Sequence, residues 1–261
     1  MTAANSEFPA KGSVSISVII PAHNEEEFLP KTLAALRKQT YENFEIIVVC
    51  NGCTDNTRDA ACQECDQFFD ITEKSLGKAR NLGGHRARGD ILLFLDADTL
   101  LEPQALAEVA RRFTRKYSAG TLKGIPDNPT LPHRTVYWAK NFVHFMHFHR
   151  GSSGVILCWK DHFEAVGGFD EGLYLRENSD LMYKLRPYGR YKYIRAAGAT
   201  TSMRRYEKKG LFEMARLWTK VWWMSHFSDL QNQTYELVDA PREPKPKYKP
   251  SAWLTSQEKR G

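Results

Sequence analysis

What this 261-residue chain lacks narrows it first. No apolar run is long enough to cross a bilayer. The opening MTAANSEFPAKGS has no apolar core of the kind a secretion signal needs, and reads as a short disordered leader. Both absences point to the cytoplasm, with a peripheral place at the inner membrane face left open. Cysteines are few and odd in number, five, which argues for reduced thiols over a disulfide framework. Cys50 and Cys53 form one C-x-x-C pair and Cys62 and Cys65 another, a spacing that can hold zinc. Zinc is the weaker reading, because Cys50 closes an apolar run and Cys53 lies in a turn. There is no internal repeat. Basic residues are dispersed and no nucleic-acid module appears, so no nucleic-acid partner is expected.

What is present is a mild basic excess, +6, which suits phosphate-bearing ligands or an anionic membrane face. The first half alternates strand and helix signals. SVSISVII is a buried strand stopped by Pro21, and NFEIIVVCNG is a second strand. QFFDIT is a short third strand and ILLFLDAD a fourth. Between them lie helices in EEEFLPKTLAALRKQ, capped by Asn24, in CTDNTRDAACQEC, and in KARNLGGHRA, closed by Gly89. Such alternation predicts a doubly wound α/β sheet, which binds ligands beyond the carboxyl ends of its strands. The second half is less regular. It offers helices in PQALAEVARRFTRK, RTVYWAKNFVHFMHFHR, from about Ser179, and in GLFEMARLWTKVWWMSHFSDL. Pro126, Pro129 and Pro132 mark a loop. The Pro- and Lys-rich tail, 231–261, reads as extended or disordered.

Asp96 and Asp98 follow the fourth strand, two residues apart and so on one face of an extended backbone. Paired carboxylates at a strand end, in a crevice suited to phosphates, fit magnesium or manganese shared with a substrate diphosphate.

Four stretches in order, SVIIPAHNEEEFLPKTLAAL, EIIVVCNGCTDNT, GKARNLGGHRARGDILLFLDADT and AVGGFDE, resemble the family 2 glycosyltransferases of the GT-A fold. The likeness covers roughly residues 15–189. It implies a mixed, mainly parallel sheet flanked by helices. Pro21, Ala22, Asn24 and Glu25 would line the nucleotide pocket, and Asp55 would meet the nucleobase. Lys78 and Arg80 would lie near base and phosphates. Asp96 would approach ribose or metal, and Asp98, second acid of a DXD motif, would bind the metal. Arg86 and Arg88 add positive charge to the same stretch, while Glu26 and Glu27 read as solvated. Glycines 83 and 84 read as the contact that lets a helix approach the sheet.

An inverting transfer needs a base for the acceptor hydroxyl. The family places an acid where this chain has Asn178, so Glu177 and Asp180 are the candidates. Arg204 and Arg205 are candidates for diphosphate or an anionic acceptor. His144, His147 and His149 lie close together, and an acceptor-pocket role is preferred to a metal role. The segment 211–230 mixes Trp218, Trp222 and Trp223 with Arg216 and Lys220, which suits core packing, a homodimer contact or a bilayer interface.

The domain reading is 14–210 catalytic, with a nucleotide-sugar half (14–120) and an acceptor half (121–210), then the aromatic helix and the tail. The functional reading is a metal-dependent hexosyl-type transfer from a nucleotide-diphosphate sugar. UDP ranks ahead of GDP, and inversion ahead of retention. The acceptor is unspecified, with a lipid-linked one in view. A sugar-phosphate nucleotidyltransferase, or a nucleotide-sugar-binding protein without turnover, are the alternatives.

Overall fold

The computed structural model describes residues 14–146, 154–173 and 177–210, with Glu213 and Arg216. The tryptophans of 211–230, the tail, and His147 and His149 lie outside the described residues.

The first half alternates as expected: β1 (Ile16–Ala22), α1 (Leu29–Leu36), β2 (Phe44–Asn51), α2 (Thr57–Glu64), β3 (Gln67–Ile71), α3 (Leu76–Arg86) and β4 (Ile91–Leu95). β1 pairs in parallel with β2 and β4, and β3 adds in parallel to β2. Every residue of β1 and β4 is buried, because helices cover both faces of this sheet.

The second half holds more strand than its pattern predicts. It runs β5 (Thr99–Leu101), α4 (Ala105–Arg112), β6 (Tyr117–Pro126), α5 (Leu131–Phe145), β7 (Val155–Trp159), α6 (Lys160–Ala165), α7 (Glu177–Lys184), β8 (Arg190–Thr201) and α8 (Arg204–Lys209). One sheet of eight strands results, ordered β3-β2-β1-β4-β7-β6-β8-β5. It is the mixed, mainly parallel sheet that the family resemblance implies. β7 is antiparallel to β4 and to β6, and β5 is antiparallel to β8. Two reversals bring β6 and β8 back to the direction of β4. The carboxyl ends of β1, β2, β4, β6 and β8 therefore share one rim of the sheet.

Strand alternation divides the core. Val18, Ile20, Leu93 and Leu95 face Leu29, Leu33, Leu106 and Phe113 on one side. Ile19, Leu92, Phe94 and Ile156 face Phe163, Phe169, Leu181 and Met182 on the other. Gly84 allows α3 this close, since a Cβ there would stand 2.7 Å from the Phe163 ring.

Some boundaries differ from the sequence reading. β1 continues through Pro21 to Ala22. α1 starts at Leu29 with Pro30 in its first turn, and Asn24 does not cap it. α3 is capped by Ser75, whose Oγ accepts from the Lys78 amide, and it ends before Gly89. Pro126 closes a strand, Pro132 opens α5, and α7 starts at Glu177.

Candidate functional site

The loops after β1 and β2 form the first wall of the rim. Asn24 adopts φ +54, a left-handed conformation asparagine tolerates. Its Oδ1 accepts from the Thr54 amide at 2.8 Å. His23 Nδ1 lies 2.7 Å from the Asn51 carbonyl, and Asn51 Nδ2 donates to the Ala22 carbonyl at 3.0 Å. Pro21 and Ala22 are buried in the strand, so they shape this wall through backbone.

Asp55 is buried, and its carboxylate is engaged locally. One oxygen accepts from the Thr57 hydroxyl at 2.5 Å and the Thr57 amide at 3.1 Å, the other from the Glu26 amide at 3.3 Å. Thr57 in turn accepts from the Glu25 amide at 2.7 Å. Asp55 thus ties the loop after β1 to the start of α2. Glu26, expected to be solvated, accepts from the Asn56 amide and reinforces the tie.

Asp96 and Asp98 stand at the mouth of β4, each held by an arginine. Arg80, on α3 and only 3 % exposed, donates to Asp96 Oδ1 at 3.1 Å, Glu177 Oε1 at 2.9 Å and Asn178 Oδ1 at 2.6 Å. Its guanidinium lies over the Phe169 ring at 5.2 Å. Arg204, on α8, grips Glu25 with two bonds of 2.6 and 2.8 Å and reaches Asp98 Oδ2 at 3.2 Å. The Phe28 ring lies 4.6 Å beneath it. Glu177 is buried, and burial pushes its carboxyl above the usual range against the pull of Arg80.

Other candidates sit farther out. Lys78 pairs with Glu73 at 2.5 Å, with 43 % of its side chain exposed. Asp180 is turned along α7 to Lys184 at 2.8 Å. Arg86 and Arg88 are exposed, and Arg86 lies over Phe69. Arg205 belongs to α8, beside Arg204. His144 is buried against Tyr191 and Tyr193, in packing rather than in the acid cluster.

Sequence reasoning missed Thr57, Phe28, Phe169 and Asn81. Asn81 exchanges two bonds with the backbone of Phe169, at 2.8 and 2.9 Å, and fixes the glycine turn against α3. D-x-T, a side-chain-to-backbone turn signature, marks Thr57 in the sequence. The two aromatic rings carry no such local mark.

Chemically, the donor set at Asp96 and Asp98 is oxygen, which suits magnesium or manganese. Such ions commonly take one or two carboxylates and fill their remaining positions from substrate phosphates. The pair fits a cation shared in this way. Among the described residues no group of three or more His, Cys, Asp or Glu forms a closed cage. The zinc reading of the cysteines gains no cluster there. Cys53 Sγ instead donates to the Ala22 carbonyl at 3.3 Å, and the neighbouring Cys53, with burial, pushes the Cys50 thiol up.

Solved structures of similar fold place this rim in context. A mannosyltransferase from Pyrobaculum calidifontis, in complex with GDP-Man and Mn2+, matches at TM-score 0.64 and 18 % identity, over 78 % of this chain and 60 % of that one. S. aureus TarS in complex with UDP-GlcNAc matches at TM-score 0.58 and 19 % identity, over 73 % and 59 %. At such identities the likeness shows the GT-A fold alone. In sequence, a validoxylamine A glucosyltransferase of Streptomyces hygroscopicus subsp. limoneus is 35 % identical over 113 residues, 39 % of this chain and 25 % of that protein. The match spans about a third of the length of other curated relatives. The model of glycosyl transferase family 2 matches residues 17–162, more than half of the chain, and the chain belongs to that family of glycosyltransferases.

Proposed function

We propose that this glycosyltransferase moves a sugar from a nucleotide-diphosphate sugar, UDP-linked ahead of GDP-linked, to an acceptor hydroxyl with inversion. The observation that carries the reading is the acid pair at the mouth of β4, each member held by a guanidinium. The nucleotide ligands named for the two solved neighbours support a donor of this class.

In this reading Asn24, Glu25 and the turn tied by Asp55 shape the nucleotide wall. Asp98, with Asp96, holds a divalent cation, which when bound neutralises charge on the departing diphosphate. Arg204, Arg205, Lys78 and Arg80 supply positive charge around the phosphates. Glu177 takes the proton of the acceptor hydroxyl as its oxygen attacks the anomeric carbon and the diphosphate leaves. Two features favour Glu177 over Asp180. It lies with Asp96 on one guanidinium, and its burial raises its basicity. Asp180 faces Lys184, and the Asn178 amide accepts from Arg80 and cannot take a proton.

Thermal-shift measurements across nucleotide sugars, with and without manganese, test the reading, since a ligand of the native state raises Tm. A UDP- or GDP-sugar gives a metal-dependent rise, and Asp98→Ala abolishes it. Equal rises in the variant remove Asp98 from the role. Product analysis separates the alternatives. Pyrophosphate release identifies a nucleotidyltransferase. Binding without nucleoside-diphosphate release, across acceptors, identifies a binding protein, the reading Asn178 favours.

A further inference from the structure

Helix α5 is packed with its polar side inward. His133, Tyr137 and His144 are buried. His133 Nδ1 lies 2.8 Å from the Asn128 carbonyl, and His144 Nδ1 lies 3.2 Å from the Tyr191 hydroxyl. Asn141 exchanges two bonds with the Gly124 backbone, at 2.8 and 3.0 Å. The outward side is apolar: Leu131 is 79 % exposed, Trp138 67 %, Phe142 47 % and Phe145 50 %. Steps of seven, four and three residues place these four in one stripe. Trp138 and Phe142 stack at 5.6 Å along it. A helix of a soluble domain normally turns its apolar stripe to the core, and a contiguous exposed stripe marks an interaction surface.

Charge identifies the partner. Helix α5 itself has no Asp or Glu; its Lys140 turns inward over the Tyr137 and Tyr206 rings, and Arg134 and Arg195 stand beside the stripe. Arg134 is exposed on the helix, and the Arg195 guanidinium lies over the Phe145 ring at 5.1 Å. An apolar, tryptophan-bearing stripe with Arg134 and Arg195 beside it, on a helix that carries no acid, fits the headgroup region of an anionic bilayer.

We propose that the outer face of α5 docks on the surface of an anionic phospholipid bilayer. This surface is distinct from the 211–230 segment, and the proposal does not depend on the transferase reading.

Co-sedimentation of the full chain with phosphatidylcholine vesicles, with and without phosphatidylglycerol, tests this. The wild-type chain binds the anionic vesicles, and binds less in high salt or to pure phosphatidylcholine. The double variant Trp138→Ser, Phe142→Ser lowers that affinity about tenfold or more, given what burying two aromatic side chains contributes. Ala139→Glu, which sets an acid on the exposed face without disturbing helix propensity, also lowers it. Tm of both variants stays at the wild-type value, which separates lost docking from lost folding. Full affinity in both variants overturns the proposal and assigns any binding to another segment, 211–230 included. A wild-type chain that binds no vesicle also overturns it. So does a dimer, seen by light scattering, that both variants dissociate, because the face then belongs to a second copy.

Discussion

Arg80 and Arg204 each hold one member of the same acid pair, yet they are built differently. Arg80 rises from α3, is almost wholly buried, and satisfies three acceptors over an aromatic ring. Arg204 arrives from the last described helix, keeps 22 % of its side chain exposed, and reaches back to Glu25 near the start of the chain. Removing either one strands a buried carboxylate, Glu177 or Glu25, so the difference lies in the arginines: the Arg80 head is closed off, while the Arg204 head is open to water on one side. Asp96 is the more exposed acid on the more buried guanidinium, and Asp98 the more sheltered acid on the more exposed one.

The contrast fails if the two arginines respond alike. Arg80→Ala has the largest expected cost, about 3–5 kcal/mol in urea unfolding, because Glu177 is left buried without its counter-charge. Glu177→Gln comes next and is read in turnover, which falls by roughly 10²–10⁴ if this carboxylate is the base. It also changes a pH slope. Burial raises the Glu177 pKa above its unfolded value. The stability it adds is full below the ordinary carboxylate range and fades as pH rises through the raised value. Urea unfolding followed from the ordinary carboxylate range upward should therefore show the variant gaining on wild type as pH rises. Arg204→Ala costs less, about 1–3 kcal/mol, because its own head is partly exposed although Glu25 is buried. In calorimetry it binds free manganese more tightly, since two carboxylates lose a competing cation, while donor affinity falls. An unfolding cost matching that of Arg80→Ala would erase the distinction. Asp180→Asn has the smallest effect, within about 0.5 kcal/mol in unfolding, with turnover retained. Loss of turnover there would move the base from Glu177 to Asp180.

The legibility of the sequence follows the same divide. β1, β2 and β4 carry short runs of Ile, Val and Leu, and burial on both faces requires such runs. β6 and β8, YSAGTLKGIP and RYKYIRAAGATT, carry small and charged residues and show no such run. Their place is set by partners: Ser118 to the Gly189 carbonyl, and Trp159 to the Tyr117 carbonyl. The acid pair, Glu177 and Arg80 were readable as candidates because motif spacing marks them. Their pairing was not, since Arg80 and Glu177 are 97 positions apart. For Asp55 the sequence marks the residue but not its local ties: its oxygens accept from Thr57 and Glu26 and fix the turn.

The bridge from Glu25 to Arg204 spans 179 positions. During synthesis the early strand–helix units emerge and can pair well before α8 leaves the ribosome. Until then Glu25 and Asp98 face each other without a guanidinium between them, and the short strand β5 still waits for β8. The acid corner thus matures only once α8 has emerged, and a chain stalled before residue 204 carries Glu25 and Asp98 as an unbalanced negative patch.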